Sequence, residues 1–163
     1  MFAMEMRINQ TLPSVGKYRI IEEIGRGGFA VVYKARDITE NRIVALKVLA
    51  QHLAWDSDFV SRFKREALAA SKLNHPSIVK VYEQGEANGQ LYIAMEYLPG
   101  RSLAELLAAG EPLSLDRALL ILRQLADALD YAHEHSVIHR DVKPSNVIVE
   151  ESRKGGIRVT LTD

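Results

Sequence analysis

Two periodicities divide the chain. In 43–49, Val44, Leu46 and Val48 alternate with Ala45 and Lys47, so the first set shares one face of a strand and the second set the other. Similar apolar runs at 18–24, 30–36, 78–83 and 90–97 predict four more strands, the last two joined through Gly85 and the turn Asn88-Gly89. One helix interrupts them at 56–73, with Asp56, Ser57 or Asp58 as candidate N-cap and an apolar face of Phe59, Phe63, Ala70 and Leu73. After Pro99-Gly100 the period changes to that of a helix. A short helix is expected at 102–109. A long one, capped by Ser114, runs to about residue 133 with Leu115, Ala118, Leu119, Leu122, Leu125, Ala126, Leu129 and Ala132 in its stripe. Short strands at 146–149 and 157–161 follow, separated by a polar turn at 150–156. The pattern is α+β: five strands with one helix, then a mainly helical part.

Composition narrows this picture. Hydrophobic residues make up 47% and charged residues 26% of the 163 residues, as in an ordinary globular protein. Lys plus Arg and Asp plus Glu both number 21, so no basic field points to nucleic acid. There is no cysteine, which removes disulfides and thiolate chemistry and permits a reducing compartment. The longest apolar region, 118–132, is broken by Arg123, Gln124, Asp127 and Asp130 and does not read as a membrane span.

Three stretches carry candidate chemistry. Gly25-Arg26-Gly27-Gly28-Phe29 lets backbone N–H groups approach a ligand, and phosphate is the usual guest; a plain hairpin turn would use the same residues. A dinucleotide site would need a helix immediately afterwards, and Val31-Val32-Tyr33 favours strand; a Walker A loop would need Gly-Lys-Ser/Thr, which is absent. Glu66 falls within the apolar stripe of helix 56–73, where a carboxylate needs a partner, although a rotation by one residue would put it in water. The third stretch is His139-Arg140-Asp141-Val142-Lys143-Pro144-Ser145-Asn146, in which Pro144 stiffens a polar loop holding an acid, cations and an amide. His133, His135 and His139 lack the spacing of a helical zinc site.

The third stretch resembles the protein-kinase catalytic loop, H-R-D-L-x-x-x-N, with Val142 in place of Leu. Lys143 is similar to the serine/threonine form. Gly25, Gly27, Ala30 and Val32 resemble the glycine-rich loop G-x-G-x-x-G-x-V, with Ala30 replacing the third glycine, and Ala45-Leu46-Lys47 resembles the kinase lysine strand. The chain thus resembles Hanks-type serine/threonine protein kinases, bacterial in texture, from residue 18 to 163. The resemblance implies a protein-kinase-like fold with an N-terminal extension at 1–17, an N-lobe at 18–95, a hinge at 96–101 and the start of a C-lobe at 102–163. It implies ATP and Mg2+ as cofactors and a protein carrying Ser or Thr as substrate.

It also assigns roles. Asp141 would orient the hydroxyl and accept its proton, and Lys143 would steady the γ-phosphate. Asn146 and Asp163, the latter at the Asp of D-F-G, would hold magnesium. Lys47, paired with Glu66, would fix the α and β phosphates. Ile24, Gly25, Arg26, Gly27, Gly28, Phe29 and Ala30 would cover the nucleotide. Val32, Ala45 and Ile148 would sandwich adenine, Met95 would gate the pocket behind it, Glu96 and Leu98 would offer hinge backbone groups, and Ser102 would lie near the ribose. His139 would pack under the loop. Because the resemblance breaks off at Asp163, the expectation is a cytoplasmic, truncated piece of a larger kinase, active only when extended, with any anchor lying beyond it. The helix from Ser114 would keep much of its apolar face uncovered, which invites self-association. The rival reading is a catalytically inactive nucleotide-binding or interaction module.

Overall fold

The computed structural model describes residues 13–110, 112–152 and 155–163. Nine strands and three α-helices occur among them: β1 Ser14–Val15, β2 Tyr18–Arg26, β3 Ala30–Asp37, β4 Arg42–Leu49, α1 Ser57–Ser71, β5 Val81–Ala87, β6 Gln90–Glu96, β7 Arg101–Ser102, α2 Leu103–Ala108, α3 Leu115–Glu134, β8 Val147–Glu151 and β9 Ile157–Leu161. The first six strands form one antiparallel sheet in the order β1-β2-β3-β4-β6-β5, and the last three form a small sheet β7-β8-β9. The five expected strands are therefore joined by β1. It lies within the stretch read as an N-terminal extension, of which residues 1–12 fall outside the described residues.

Alternation in β4 sorts the large sheet into two cores. Val44, Leu46 and Val48 are buried with Tyr18, Ile20, Ala35 and Ala94 on one side. Ala45 and Leu49 are buried on the other with Ala30, Ile93, Met95 and the α1 residues Phe63 and Ala67. Asp56 caps α1 by accepting from the backbone N–H groups of Asp58 and Phe59, at 3.0 and 3.4 Å.

β5 begins three residues later than the apolar pattern suggests. Ile78 instead bridges Leu161 in parallel, the Val79 N–H donates to the Leu161 carbonyl at 3.0 Å, and the Leu161 N–H donates to the Ser77 carbonyl at 2.9 Å. That stretch thereby ties the linker after α1 to β9. β8 starts at Val147 because Pro144, Ser145 and Asn146 form a 3-10 turn.

α3 buries Ile121, Leu125, Ala128 and Ala132. The expected stripe is shifted. Leu115, Leu119 and Leu122 are 74%, 53% and 61% exposed, because β8 and β9 cover only the side carrying Ile121 and Leu125. The Gln124 side chain fastens this packing by donating to the Ile157 carbonyl and accepting from the Val159 N–H, each at 3.0 Å. No helix among the described residues is long and apolar enough to cross a membrane.

Candidate active site

The loop between α3 and β8 is held by its own polar side chains. The Asn146 amide donates to the Asp141 backbone carbonyl at 2.9 Å and to Asp141 Oδ2 at 3.0 Å. Lys143 Nζ donates to the same Oδ2 at 2.7 Å. The Lys143 ammonium, helped by Asn146, holds the Asp141 carboxyl below the usual carboxylate range, so it is an anion at neutral pH. Arg140, with φ of +64°, is in the left-handed region at the sharp entry to the loop. His139 lies beneath: its Nδ1 accepts from the Asp141 N–H at 3.3 Å, and its Nε2 meets the Thr162 carbonyl at 3.0 Å.

β9 delivers Asp163 beside this loop. The Thr162 N–H and hydroxyl both donate to the Asn146 carbonyl, at 2.8 and 3.2 Å. From the other sheet, Lys47 of β4 reaches Asp163 Oδ1 at 2.7 Å across 116 residues of sequence, with 17% of its side chain exposed. Hydrogen bonds and covalent neighbours thus run unbroken from Lys47 through Asp163, Thr162 and Asn146 to Asp141 and Lys143.

Donor chemistry at this end suits a hard cation. Both amide hydrogen bonds of Asn146 use its nitrogen, so its side-chain oxygen is left to accept a positive charge. Asp163 adds a carboxylate. Two oxygen ligands with water and phosphate completing the shell is how Mg2+ is usually held.

The glycine-rich turn joins β2 and β3 as a hairpin in which Gly25 faces Val32 and Arg26 faces Val31, and the Gly27 N–H donates to the Ala30 carbonyl at 2.9 Å. A Cβ placed on Gly28 would meet nothing within 4 Å, so that position of the turn is open. Ile24 is 44% exposed, and Arg26 is committed to Glu23 by two hydrogen bonds. The Phe29 ring packs on Phe59 of α1 with centroids 5.3 Å apart. Below the turn, Val32 pairs with Lys47, and Ala45 pairs with Met95, in adjacent strands. Ala45 and Met95 are buried, Val32 and Leu98 pack against their cluster, and Ile148 is half-buried.

One expected placement is corrected. Glu66 does not pair with Lys47; it is exposed, and Asp163 takes the ammonium instead. The buried side of α1 centres on Phe63 and Ala67, which leaves Glu66 on the flank, about 60° and 100° from them around the axis. Ser102 caps α2, its hydroxyl donating to Glu105 Oε2 at 2.8 Å and accepting from the Glu105 N–H at 3.2 Å, and it pairs with Ile148 across β7 and β8. One arrangement was not foreseen. The Glu96 carboxylate is gripped by Arg158, 62 residues away, and nothing local in the sequence announces that pair.

Comparison with known proteins decides the family. The model of the protein kinase domain matches residues 18–163. The chain belongs to the protein kinase family. The chain is 44% identical over 145 residues to the serine/threonine-protein kinase PrkC of Bacillus subtilis, covering 89% of this chain and 22% of that protein. It is likewise 44% identical to a probable PknB of Lactococcus lactis, covering 88% of this chain and 23% of the relative. The crystal structure of the Mycobacterium tuberculosis PknI kinase domain superposes with a TM-score of 0.78 at 35% identity, over 94% of this chain and 61% of that one. The chain therefore spans less than a quarter of these curated relatives and about three fifths of the solved domain. The resemblance drawn from the catalytic loop, the glycine turn and the lysine strand holds, as does the protein-kinase-like fold. The family generally uses ATP and Mg2+.

Proposed function

We propose that this chain supplies the nucleotide cleft and catalytic loop of a serine/threonine protein kinase that transfers the γ-phosphoryl group of ATP to a Ser or Thr hydroxyl of a protein substrate. One observation carries the reading: Lys47, delivered by the large sheet, meets Asp163, delivered by the small one, beside a loop already organised around Asp141. An ammonium, an amide and two carboxylates are thereby linked through hydrogen bonds and chain neighbours, a donor set that suits a triphosphate–metal complex.

Asp141, an exposed anion aimed by Asn146, orients the substrate hydroxyl and accepts its proton. Lys143, now on Asp141, turns to the γ-phosphate when it arrives. Lys47 leaves Asp163 for the α and β phosphates. Asn146 and Asp163 would hold Mg2+, which when bound neutralises charge on the phosphates. The transition state spreads negative charge over the phosphoryl oxygens, so positioning and charge stabilisation supply most of the rate. The turn at 25–30 lies over the phosphates, Val32, Ala45 and Ile148 enclose adenine, Met95 closes the back of the pocket, and Glu96 and Leu98 present backbone groups to its edge. A cytoplasmic setting fits a reaction that consumes ATP.

The test is Mg–ATP binding by the chain, together with phosphoryl transfer by a chimaera that continues it with the C-terminal remainder of the PrkC kinase domain. Binding with transfer to Ser or Thr, abolished by Lys47→Met, is expected. Binding with no transfer in the chimaera would leave a nucleotide-binding module without catalysis, and absence of binding would refute the reading altogether.

A further inference from the structure

Arg158, in β9, touches none of the groups described for catalysis, yet its guanidinium makes four hydrogen bonds to three separate segments. Its two terminal nitrogens donate to the two oxygens of Glu96, at 2.9 and 3.2 Å, in a bidentate fork. One of them also donates to Glu150 Oε2 of β8 at 3.2 Å. Its Nε donates to the Pro76 carbonyl at 3.3 Å, in the linker between α1 and β5. The Glu96 and Glu150 side chains are only 26% and 19% exposed, so these bonds are partly shielded from water.

Glu96 is the last residue of β6, and Met95 before it is buried in the cluster under Ala45. Alternation sends the Glu96 side chain to the opposite side of the strand. Arg158 therefore grips the hinge from behind, next to a cavity of about 330 Å³ lined by Ile78, Lys80 and His75. The Glu96 N–H is also fixed, donating to the Lys80 carbonyl at 2.8 Å. With side chain and N–H both held, little freedom remains in how the following backbone is presented.

We infer that Arg158 is a positioning residue for nucleotide recognition: its fork on Glu96 sets where the backbone of 96–98 meets the base, and so sets the preference for adenine over guanine. This rests on the reading of the cleft as an ATP site. Arg and Lys are not equivalent here, since an ammonium reaches one carboxylate oxygen as a point charge and cannot reproduce the fork. Glu150 shares the guanidinium without touching the hinge, which makes it the control.

The experiment measures the affinity of this chain for fluorescent ATP and GTP analogues with Mg2+, for the wild type, Arg158→Met, Arg158→Lys and Glu150→Gln. The wild type should prefer ATP. Arg158→Met should lose about tenfold in ATP affinity, as expected for one charge-assisted pair, with GTP affinity within about twofold, so that selectivity collapses. Arg158→Lys should fall between, and Glu150→Gln should match the wild type. General loosening of the fold would weaken both nucleotides together; an unchanged ATP/GTP ratio in Arg158→Met, whether both fall or neither does, overturns the inference. Should Arg158→Met fail to fold by circular dichroism, the ratio in Arg158→Lys decides it in the same way. A wild type that binds neither nucleotide overturns the ATP-site reading, and this inference with it.

Discussion

The sheet-built half and the helix-and-loop half hold their functional groups by different physics. In the six-stranded sheet both faces are covered: Tyr18, Val44, Leu46 and Ala94 fill one side and Ala45, Phe63, Ala67 and Met95 the other. Lys47 is placed there by register, opposite Val32 and Ile93, so shifting it means breaking a ladder and two cores. In the second half, α3 is covered on one side only, and Asp141 is placed by two side chains of its own loop. A position fixed by packing is sensitive to volume. One fixed by a few polar bonds is sensitive to chemistry. Substitutions should therefore separate into those that unfold the protein and those that silence it.

The largest effect should come from the loop. In the chimaera with the PrkC remainder, Asp141→Asn should lower phosphoryl transfer by about a thousandfold, the order expected when a positioned general base is lost. The Asp141 side chain is 56% exposed, so the melting temperature should stay within about 1 °C of wild type. Transfer at the wild-type rate would remove Asp141 from its role; a large fall in melting temperature would erase the contrast between the halves.

Next is a matched pair of leucines. Leu46 is fully buried and Leu122 is 61% exposed. Leu46→Ala should cost about 3 kcal/mol by denaturant unfolding, from lost transfer energy and the cavity left behind. Leu122→Ala should change stability by no more than about 0.5 kcal/mol. It should also reduce aggregation, because it shrinks an exposed apolar face. Equal costs at the two sites would mean that the bare side of α3 is covered in solution.

This division also governs what could be read from the sequence. The strands and Lys47 were legible because alternation within 43–49 encodes which side chains share a face. The loop was legible because Asp141, Lys143 and Asn146 lie within six residues and solve their geometry locally. Glu66 was not, because a helix stripe fixes rotation only to about one residue, or 100°, and here Phe63 and Ala67 won the buried centre. Ile78 read as strand, correctly in character, but its partner is Leu161, 83 residues on, and no local pattern reports that. The expected stripe of α3 took in Leu115, Leu119 and Leu122 and left out Ile121 and Ala128; the helix carries apolar residues on both sides, and composition alone cannot say which side meets β9.

A smaller effect tests the polar rim of the sheet half through pH. The Asp37 side chain is fully buried and accepts from the Thr39 and Glu40 N–H groups at 3.0 and 3.2 Å, with Lys17 at 3.6 Å. Burial alone would push its carboxyl up, but those N–H groups with Lys17 and Arg42 outweigh it and hold the carboxyl below its ordinary 3.8. A folded-state value below the unfolded one means that the stabilisation is complete above the unfolded value and disappears as pH falls through the folded one. Asp37→Asn should therefore cost about 2 kcal/mol near neutrality, the scale of a hydrogen-bonded buried charge. Its unfolding curve should converge with the wild type in acid. A gap that persists unchanged below the folded value would mean that the loss is one of shape and not of charge.

The finest comparison sets two helix caps against each other. Asp56 caps α1 and Ser114 caps α3, and replacing either with Ala should cost about 1 kcal/mol, because two backbone N–H groups at the first and one at the second lose their acceptor. Their effects on nucleotide binding should differ. One N–H that Asp56 accepts is that of Phe59, whose ring packs on Phe29 at the tip of the glycine turn. Fraying this end of α1 loosens the turn directly, so Asp56→Ala should weaken ATP binding severalfold in titrations of the chain. Ser114 accepts from Arg117 at the end of α3 remote from the loop, with the buried residues Ile121 to Ala132 between them. Ser114→Ala should leave ATP affinity unchanged at an equal loss of stability. Were both caps to weaken ATP binding alike, stability lost anywhere would reach the cleft, and the two halves would answer as one cooperative unit instead of through separate contacts.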